Sequence, residues 1–341
     1  MIERISIVGT GLLGASTGLA LRAHGFAGEI VGWDRDAAAL ETALRMGALT
    51  SVAQEPLSAA KEADLILLAG PVLAIVDWIG RLADVLSPHQ LLTDVGSTKQ
   101  QIVEAAAQHY NRRGRAAFLP GHPMAGKEVS GAEYADAELF RGAVWLFTPT
   151  APFTPEPTAA AAAAEFRALV EGFGCRTLEM DAGRHDELLA WVSHLPQFLA
   201  TALSALLEDE FGGDPELRAI GGRALREMTR LGSSPYSMWR DVALSNSAHV
   251  ERALHVLSGL LRLHLGKRVE RALALLQPGH CLLTHRAGGD VPGVEHRVAR
   301  GHRLVLWRRA RSHRLLLRLG LLHPLLHLHH RHGVLSVRES L

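Results

Sequence analysis

The sequence predicts a nucleotide-binding-type α/β half on a parallel sheet, followed by an all-helical half. Three observations carry this. Over the first 150 residues, short aliphatic runs ending in glycine, proline or serine alternate with helical stretches. A glycine-rich turn follows the first such run, and from Asp181 the pattern becomes long and helical. The 341 residues are 48% hydrophobic, enough for a substantial core and two domains. A formal net charge of +1 gives no electrostatic case for nucleic acid or an anionic membrane. Cys175 and Cys281 lie far apart, which fits neither a metal site nor a redox motif. The N-terminal MIERISIVG runs straight into a strand without a signal-peptide pattern, and no apolar run approaches the roughly 20 residues of a membrane span. A soluble cytoplasmic protein is expected.

The first strand, Ile5–Val8, ends in Gly9-Thr10-Gly11-Leu12-Leu13-Gly14, and a helix follows as far as Gly25. Strand, G-x-G-x-x-G and helix in that order mark a Rossmann-type dinucleotide site. Gly9 permits the tight turn, Gly11 lets the backbone approach a pyrophosphate, and Gly14 lets helix and strand pack closely. The helix N-terminus offers free N–H groups and a positive dipole end to the phosphates. The second strand, residues 29–33, ends at Asp34, 20 residues after Gly14. A carboxylate there accepts from the ribose 2′-hydroxyl and repels a 2′-phosphate, which favours NAD over NADP. Arg35 weakens that preference, since a guanidinium stacks on adenine or meets a phosphate.

Further parallel strands are expected at Asp64–Ala69, ending in Gly70-Pro71, at Leu91–Val95, ending in Gly96-Ser97, and at Ala116–Leu119, ending ahead of His122. A later one is expected at Val144–Thr148. Ligands bind beyond the carboxyl ends of such strands. The cofactor-binding set is therefore Gly9, Gly11, Leu12, Leu13, Gly14, Asp34, Arg35, Gly70, Pro71 and Ser97. His122 should face the same crevice, from a loop (GHPMAGKEVSG) too glycine-rich for a helix and too broken for a strand.

Residues 148–158 read as a connection, 159–171 as a helix and 175–180 as a strand. In the long helix after Asp181, residues Asp186, Ala190, Ser193 and Gln197 share one face, with His194 beside them. Pro196 inside it should kink the chain near Val192–Ser193. A helix is expected over Asp214–Leu231, then another over 237–246 carrying Arg240 and Asp241. Consecutive helical residues point apart, so Arg240 either awaits a ligand carboxylate or makes a structural ion pair; spacing leaves both open.

A nicotinamide cofactor performs hydride transfer and leaves a base and substrate binding to the protein. Histidine suits accepting a proton from an alcohol as hydride leaves its carbon, and His122 is placed to do so, although a turn histidine bonded to backbone is the plain alternative. Ser97, Lys127, Glu128, Ser193, His194, Gln197 and Arg240 are the other polar groups expected around it. GTGLLGAS, DVGSTK, GHPMAGKEVSG, HDELLAWVSHLPQ and SMWRDVALSN occur in the order and spacing of the prephenate/arogenate dehydrogenase family, which residues 1–260 resemble. The resemblance implies a Rossmann domain followed by an all-α dimerisation domain, hence a homodimer. It implies NAD-dependent oxidative decarboxylation of prephenate to 4-hydroxyphenylpyruvate in tyrosine biosynthesis, or of arogenate, or of both. It also implies His122 as base on the ring hydroxyl, Ser97 orienting that hydroxyl, Arg240 clamping a carboxylate and His194 in the substrate pocket. Gln197 stands where some prephenate-specific members have histidine, which leaves the choice of substrate open. Lys127 meets substrate or cofactor, or is solvated.

The expected domains are 1–150, 151–278 and an atypical tail, 279–341. The tail holds 10 of the 19 histidines, 11 arginines, no lysine and three acids, and it reads as frameshifted or disordered, a departure that starts as early as residue 260. A basic arm has too many leucines to fit, and a metal-binding histidine tract lacks recurrent ligand spacing. Two other functions compete. A β-hydroxyacid dehydrogenase would use a lysine base in the helical half, but none lies between Lys127 and Lys267. A catalytically silent NAD-binding scaffold is the other.

Overall fold

The computed structural model describes residues 1–150 and 153–275, with side chains through Lys267. The expected tail, 279–341, lies outside the described residues. Six parallel strands form the main sheet in the order β3-β2-β1-β4-β5-β6. They are β1 (Arg4–Val8), β2 (Glu29–Trp33), β3 (Ser51–Val52), β4 (Leu65–Leu68), β5 (Leu91–Asp94) and β6 (Ala117–Leu119). The helices between them are α1 (Leu12–Ala23), α2 (Ala37–Arg45), α3 (Pro56–Lys61), α4 (Val72–Leu82) and α5 (Gln100–Ala107). A strand covered on both faces reads as a continuous apolar run, and all four residues of β4 are buried. Strand order reverses between β1 and β4, which opens a crevice beyond their carboxyl ends.

The connection after β6 departs from expectation. Gly121–Pro123 is not a loop but a short strand, β7, antiparallel to β8 (Val144–Phe147), with His122 opposite Leu146. Asp94 at the end of β5 accepts the Gly121 N–H at 3.2 Å, which ties this strand to the main sheet. Strand β8 also differs: it joins a second sheet, β7-β8-β9, with β9 (Arg176–Glu179) parallel to it. α6 (Pro157–Gly172) buries Ala159, Ala162, Phe166 and Val170, and Phe166 packs edge-on against Trp145 and Phe147 of β8. By packing, the α/β half therefore runs on to Glu179.

The helical half begins with α7 (Ala182–Leu189), a π-helical turn (Ala190–His194) and α8 (Leu195–Phe211). Pro196 falls in the first turn of α8, and the distortion expected over Val192–Ser193 takes the form of this wider turn. By length and composition alone the 30-residue stretch Ala182–Phe211 would cross a membrane. It nevertheless buries His185, Asp186, His194 and Gln197, a polar seam packed inside the protein. The single helix expected over Asp214–Leu231 is split into α9 (Pro215–Ile220) and α10 (Arg223–Arg230). Gly221-Gly222 supplies the break: no helix former spans it, and a Cβ on Gly221 would lie 2.9 Å from Leu217 O. α11 (Tyr236–Ser245) and α12 (Ser247–Leu275) complete the described chain.

Side chains stitch the halves together. Asp186 of α7 accepts the first N–H groups of α5, from Lys99 at 2.7 Å and Gln100 at 2.9 Å. The Thr98 and Ser245 hydroxyls meet at 2.8 Å, and Asp241 of α11 accepts the Leu73 N–H in the first turn of α4.

Candidate active site

The glycine turn is shaped to be filled from outside. Gly9 holds φ 99°, and a Cβ there would lie 2.6 Å from Ala69 O; one on Gly14 would lie 1.9 Å from Gly9 O. Gly11 instead has nothing within 4 Å, so its bare face opens on space a phosphate can occupy. It starts α1 without a side-chain cap, and the first turn holds no acid, so the helix N–H groups and dipole stay available to an anion. Leu12 and Leu13 are half-buried beside it. Asp34 accepts from Thr10 N at 2.6 Å and Asp36 N at 2.9 Å, which locks its carboxylate at the lip of the turn, while Arg35 is exposed. Gly70 and Pro71 lead into α4 on the opposite lip.

Across the crevice, the turn bearing Ser97 is pinned on both sides: Gly96 N donates to Asp94 Oδ2 at 2.7 Å, and Thr98 is tied to Ser245. Lys99 is wholly buried and its Nζ bonds to Asp94. Burial pulls that ammonium below the usual lysine range, against the attraction of Asp94 and Asp186. A single carboxylate, Asp94, thus fixes Gly96 and Gly121, the neighbours of Ser97 and His122. His122 is itself buried, with Nδ1 2.9 Å from His185 Nε2; His185 Nδ1 lies 2.7 Å from Asp186 Oδ1. Burial, joined by the repulsion of His185, Lys99 and His194, holds the His122 imidazole well below the ordinary histidine range and hence neutral.

The helical half contributes His194 from its π turn. Asn246 Nδ2 donates to Asp186 O at 2.8 Å while its Oδ1 meets His249 Nδ1 at 2.8 Å, which fixes the amide orientation. The same Nδ2 lies 3.2 Å from His194 Nδ1, so that nitrogen accepts and the proton sits on Nε2. Burial holds His194 down to about 4. His194 Nε2 and the Trp239 indole nitrogen are buried without a hydrogen-bond partner among the described residues, and their rings lie edge to face at 6.0 Å. Two orphaned donors side by side suit a ligand with acceptor oxygens.

Other candidates fall elsewhere. Arg240 pairs with its neighbour Asp241 through Nη2 at 2.6 Å and Nε at 3.0 Å, although consecutive positions were expected to diverge. Its long side chain folds back along α11, leaving it half exposed. Gln197 is buried and spends its amide on Leu231 O at 2.6 Å, Thr201 and Ser234 rather than presenting it freely. Lys127 bonds the Tyr134 carbonyl at 2.8 Å, and Glu128 meets Arg230 of α10 at 3.1 Å, which links the segment after β7 to the helical half. Ser193 lies half-buried in the π turn. Sequence reasoning missed His185, Lys99, Asp94, Asn246 and Arg230, and placed Asp186 only as a face-sharing residue. The available signals were the adjacent His-Asp pair at the head of a polar seam and a lysine directly after an aliphatic strand and turn.

A model of the prephenate dehydrogenase nucleotide-binding domain matches residues 17–177, and one of the prephenate dehydrogenase dimerization domain matches residues 181–258. The chain belongs to the prephenate dehydrogenase family. It is 32% identical over 246 residues to the prephenate dehydrogenase of Lactococcus lactis subsp. cremoris, a match that covers 72% of this chain and 65% of that protein. The chain thus spans 65% of the Lactococcus protein's length. A cyclohexadienyl dehydrogenase of Zymomonas mobilis is 29% identical over 288 residues, covering 84% of this chain and 93% of that one. Among solved structures, prephenate dehydrogenase from A. aeolicus, in complex with hydroxyphenyl propionate and NAD+, superposes with a TM-score of 0.70 at 28% identity, over 80% of this chain and 93% of that one. Synechocystis arogenate dehydrogenase gives 0.59 at 29%, over 80% and 96%.

Proposed function

We propose that this member of the prephenate dehydrogenase family oxidises and decarboxylates prephenate to 4-hydroxyphenylpyruvate with NAD, as a homodimer. The observation that carries the reading is His122: buried, bonded to His185 and held at the carboxyl end of the sheet, between the Ser97 turn and the helical half. The uncapped glycine turn and Asp34 would hold the dinucleotide, whose nicotinamide accepts hydride. His122 takes the proton of the ring hydroxyl as hydride leaves the same carbon, with Ser97 orienting that hydroxyl. The ring carboxylate then departs as CO₂, and its bonding electrons complete the aromatic ring. The oxygen left as phenolate recovers the proton from His122, so the reaction releases no net proton. His194 offers its Nε2–H to a substrate oxygen, and Arg240, beside the start of α4, clamps a carboxylate through the part of its guanidinium not held by Asp241. Glu128 and Lys127 shape the loop over the site, and Ser193 its helical wall.

Gln197 supports a second reading, use of arogenate as well. Its amide carries no charge and is committed to Leu231 O, so it does not choose between a keto acid and an amino acid. Leu206, Phe211, Ile220, Met228 and Leu244 are exposed in the helical half, apolar surface of the kind a second subunit covers. The test is NADH formation with prephenate, with arogenate and with neither. Turnover of prephenate supports the reading; turnover of arogenate alone replaces the substrate; turnover of neither leaves a nucleotide-binding scaffold.

A further inference from the structure

His122, His185 and Asp186 form a row in which each hydrogen bond dictates the next. Asp186 Oδ1 accepts from Lys99 N at 2.7 Å and Oδ2 from Gln100 N at 2.9 Å, both at the start of α5. Its oxygens face donors on every side, so the contact with His185 Nδ1 at 2.7 Å is a donation by His185. Burial outweighs the attraction of Asp186 and holds His185 below the ordinary histidine range, which keeps that ring neutral. Its Nε2 is then a bare lone pair that can only accept. At 2.9 Å from it, His122 Nδ1 must be the donor, which leaves His122 Nε2 without hydrogen. A free neutral histidine favours the opposite tautomer, with hydrogen on Nε2, so the row imposes the less common form.

We infer that His185 and Asp186 are positioning residues, supplied by the helical half, that hold His122 in the one neutral tautomer able to accept a proton at Nε2. The inference rests on the proposed role of His122 as base. In the step itself the substrate O–H bond breaks and an N–H bond forms at His122 Nε2, while Nδ1–H stays where it is. The new imidazolium then donates a charge-assisted bond to His185, with the Asp186 carboxylate at the far end of the row. No proton needs to move beyond His122, and the same proton returns to the product oxygen. The two histidines come from segments on either side of the domain junction, 63 residues apart, so the base is complete only when the halves are docked.

Two His185 variants and one spectrum test this. His185→Phe removes the acceptor and should lower kcat by about a hundredfold or more, with KM and the NAD dissociation constant within about twofold, because orientation of the base is lost and binding is not. His185→Gln keeps an acceptor for His122 and a donor for Asp186, and should recover most of that loss. Two-bond 1H–15N spectra of 15N-histidine-labelled enzyme with NAD, with His122 signals assigned by their loss in His122→Asn, should show His122 protonated at Nδ1. His122 protonated at Nε2 in the wild type, an unchanged kcat in His185→Phe, or a His185→Gln enzyme as slow as His185→Phe would each overturn the inference. The wild-type spectrum decides the tautomer even if His185→Phe fails to fold. It does so whether or not prephenate proves to be the substrate, so this failure and that of the functional reading are told apart.

Discussion

The glycine turn of the α/β half and the histidine cluster at its junction with the helical half, the two parts of the proposed site, are built by different means. At the turn, backbone N–H groups and absent side chains do the work: Gly9 and Gly14 admit no Cβ, and Gly11 leaves its face open. At the junction, Asp94, Ser97, Lys99, His122, His185, Asp186 and His194 arrive from four stretches of chain and act through protonation and hydrogen bonding. Local backbone geometry makes the first site, whereas docking of the two halves makes the second. The first should therefore fail by steric insult and the second by loss of a single charge or acceptor.

The largest effect is expected from Lys99→Met, which leaves Asp94 buried without its cation and should cost about 3–5 kcal/mol of stability, read by denaturant unfolding. A loss under 1 kcal/mol would show that Asp94 is held by its backbone donors alone. At the glycine turn, Gly14→Ala drives a Cβ into Gly9 O and should weaken NAD binding by about a hundredfold in calorimetry, while Gly11→Ala leaves the thermal midpoint unchanged. NAD affinity of Gly14→Ala within about twofold of wild type would mean that the turn yields, and the contrast with the junction would collapse. Arg240→Gln should raise KM about tenfold with kcat nearly kept, the scale of one charged hydrogen bond. An unchanged KM returns Arg240 to its ion pair with Asp241.

The smallest effect is in pH dependence. If His122 is the base, it works only while neutral; burial depresses its affinity for a proton, so the acidic limb of kcat/KM should lie below pH 6.5. Stability follows the same sign. His194 sits at about 4 when folded and near the ordinary value when unfolded, so the unfolded chain binds the proton first. The thermal midpoint should fall as pH drops from about 6.5 toward 4. A limb above pH 7 would contradict burial as the dominant influence on His122.

Five of the six strands of the main sheet were legible because they are largely buried apolar runs, whereas β3, two half-buried residues (Ser51–Val52), carries no such signal; the nucleotide turn was legible because its glycines lie close together in sequence. His122 could be placed at a strand end for the same reason. Strand β7 was not legible: three residues, one of them proline, carry no strand signal, and their pairing with β8 is set by Asp94 from another strand. The Arg240–Asp241 pair escaped because helical spacing describes Cβ directions, whereas a long arginine can fold back. His185 escaped because its value lies in a partner 63 residues away. Pro196 announced a disturbance in the helix, and its form as a π turn that carries Ser193 and His194 emerged only with the packing.

The most direct measurement is the His122→Asn enzyme compared with wild type, with turnover of prephenate and arogenate followed by NADH and NAD affinity by calorimetry. If His122 is the base of a site whose nucleotide end is independent of it, turnover falls by about a thousandfold while NAD affinity stays within about twofold. Turnover above a tenth of wild type would remove His122 from the chemistry, and a matching loss of NAD affinity would make it part of the nucleotide site instead.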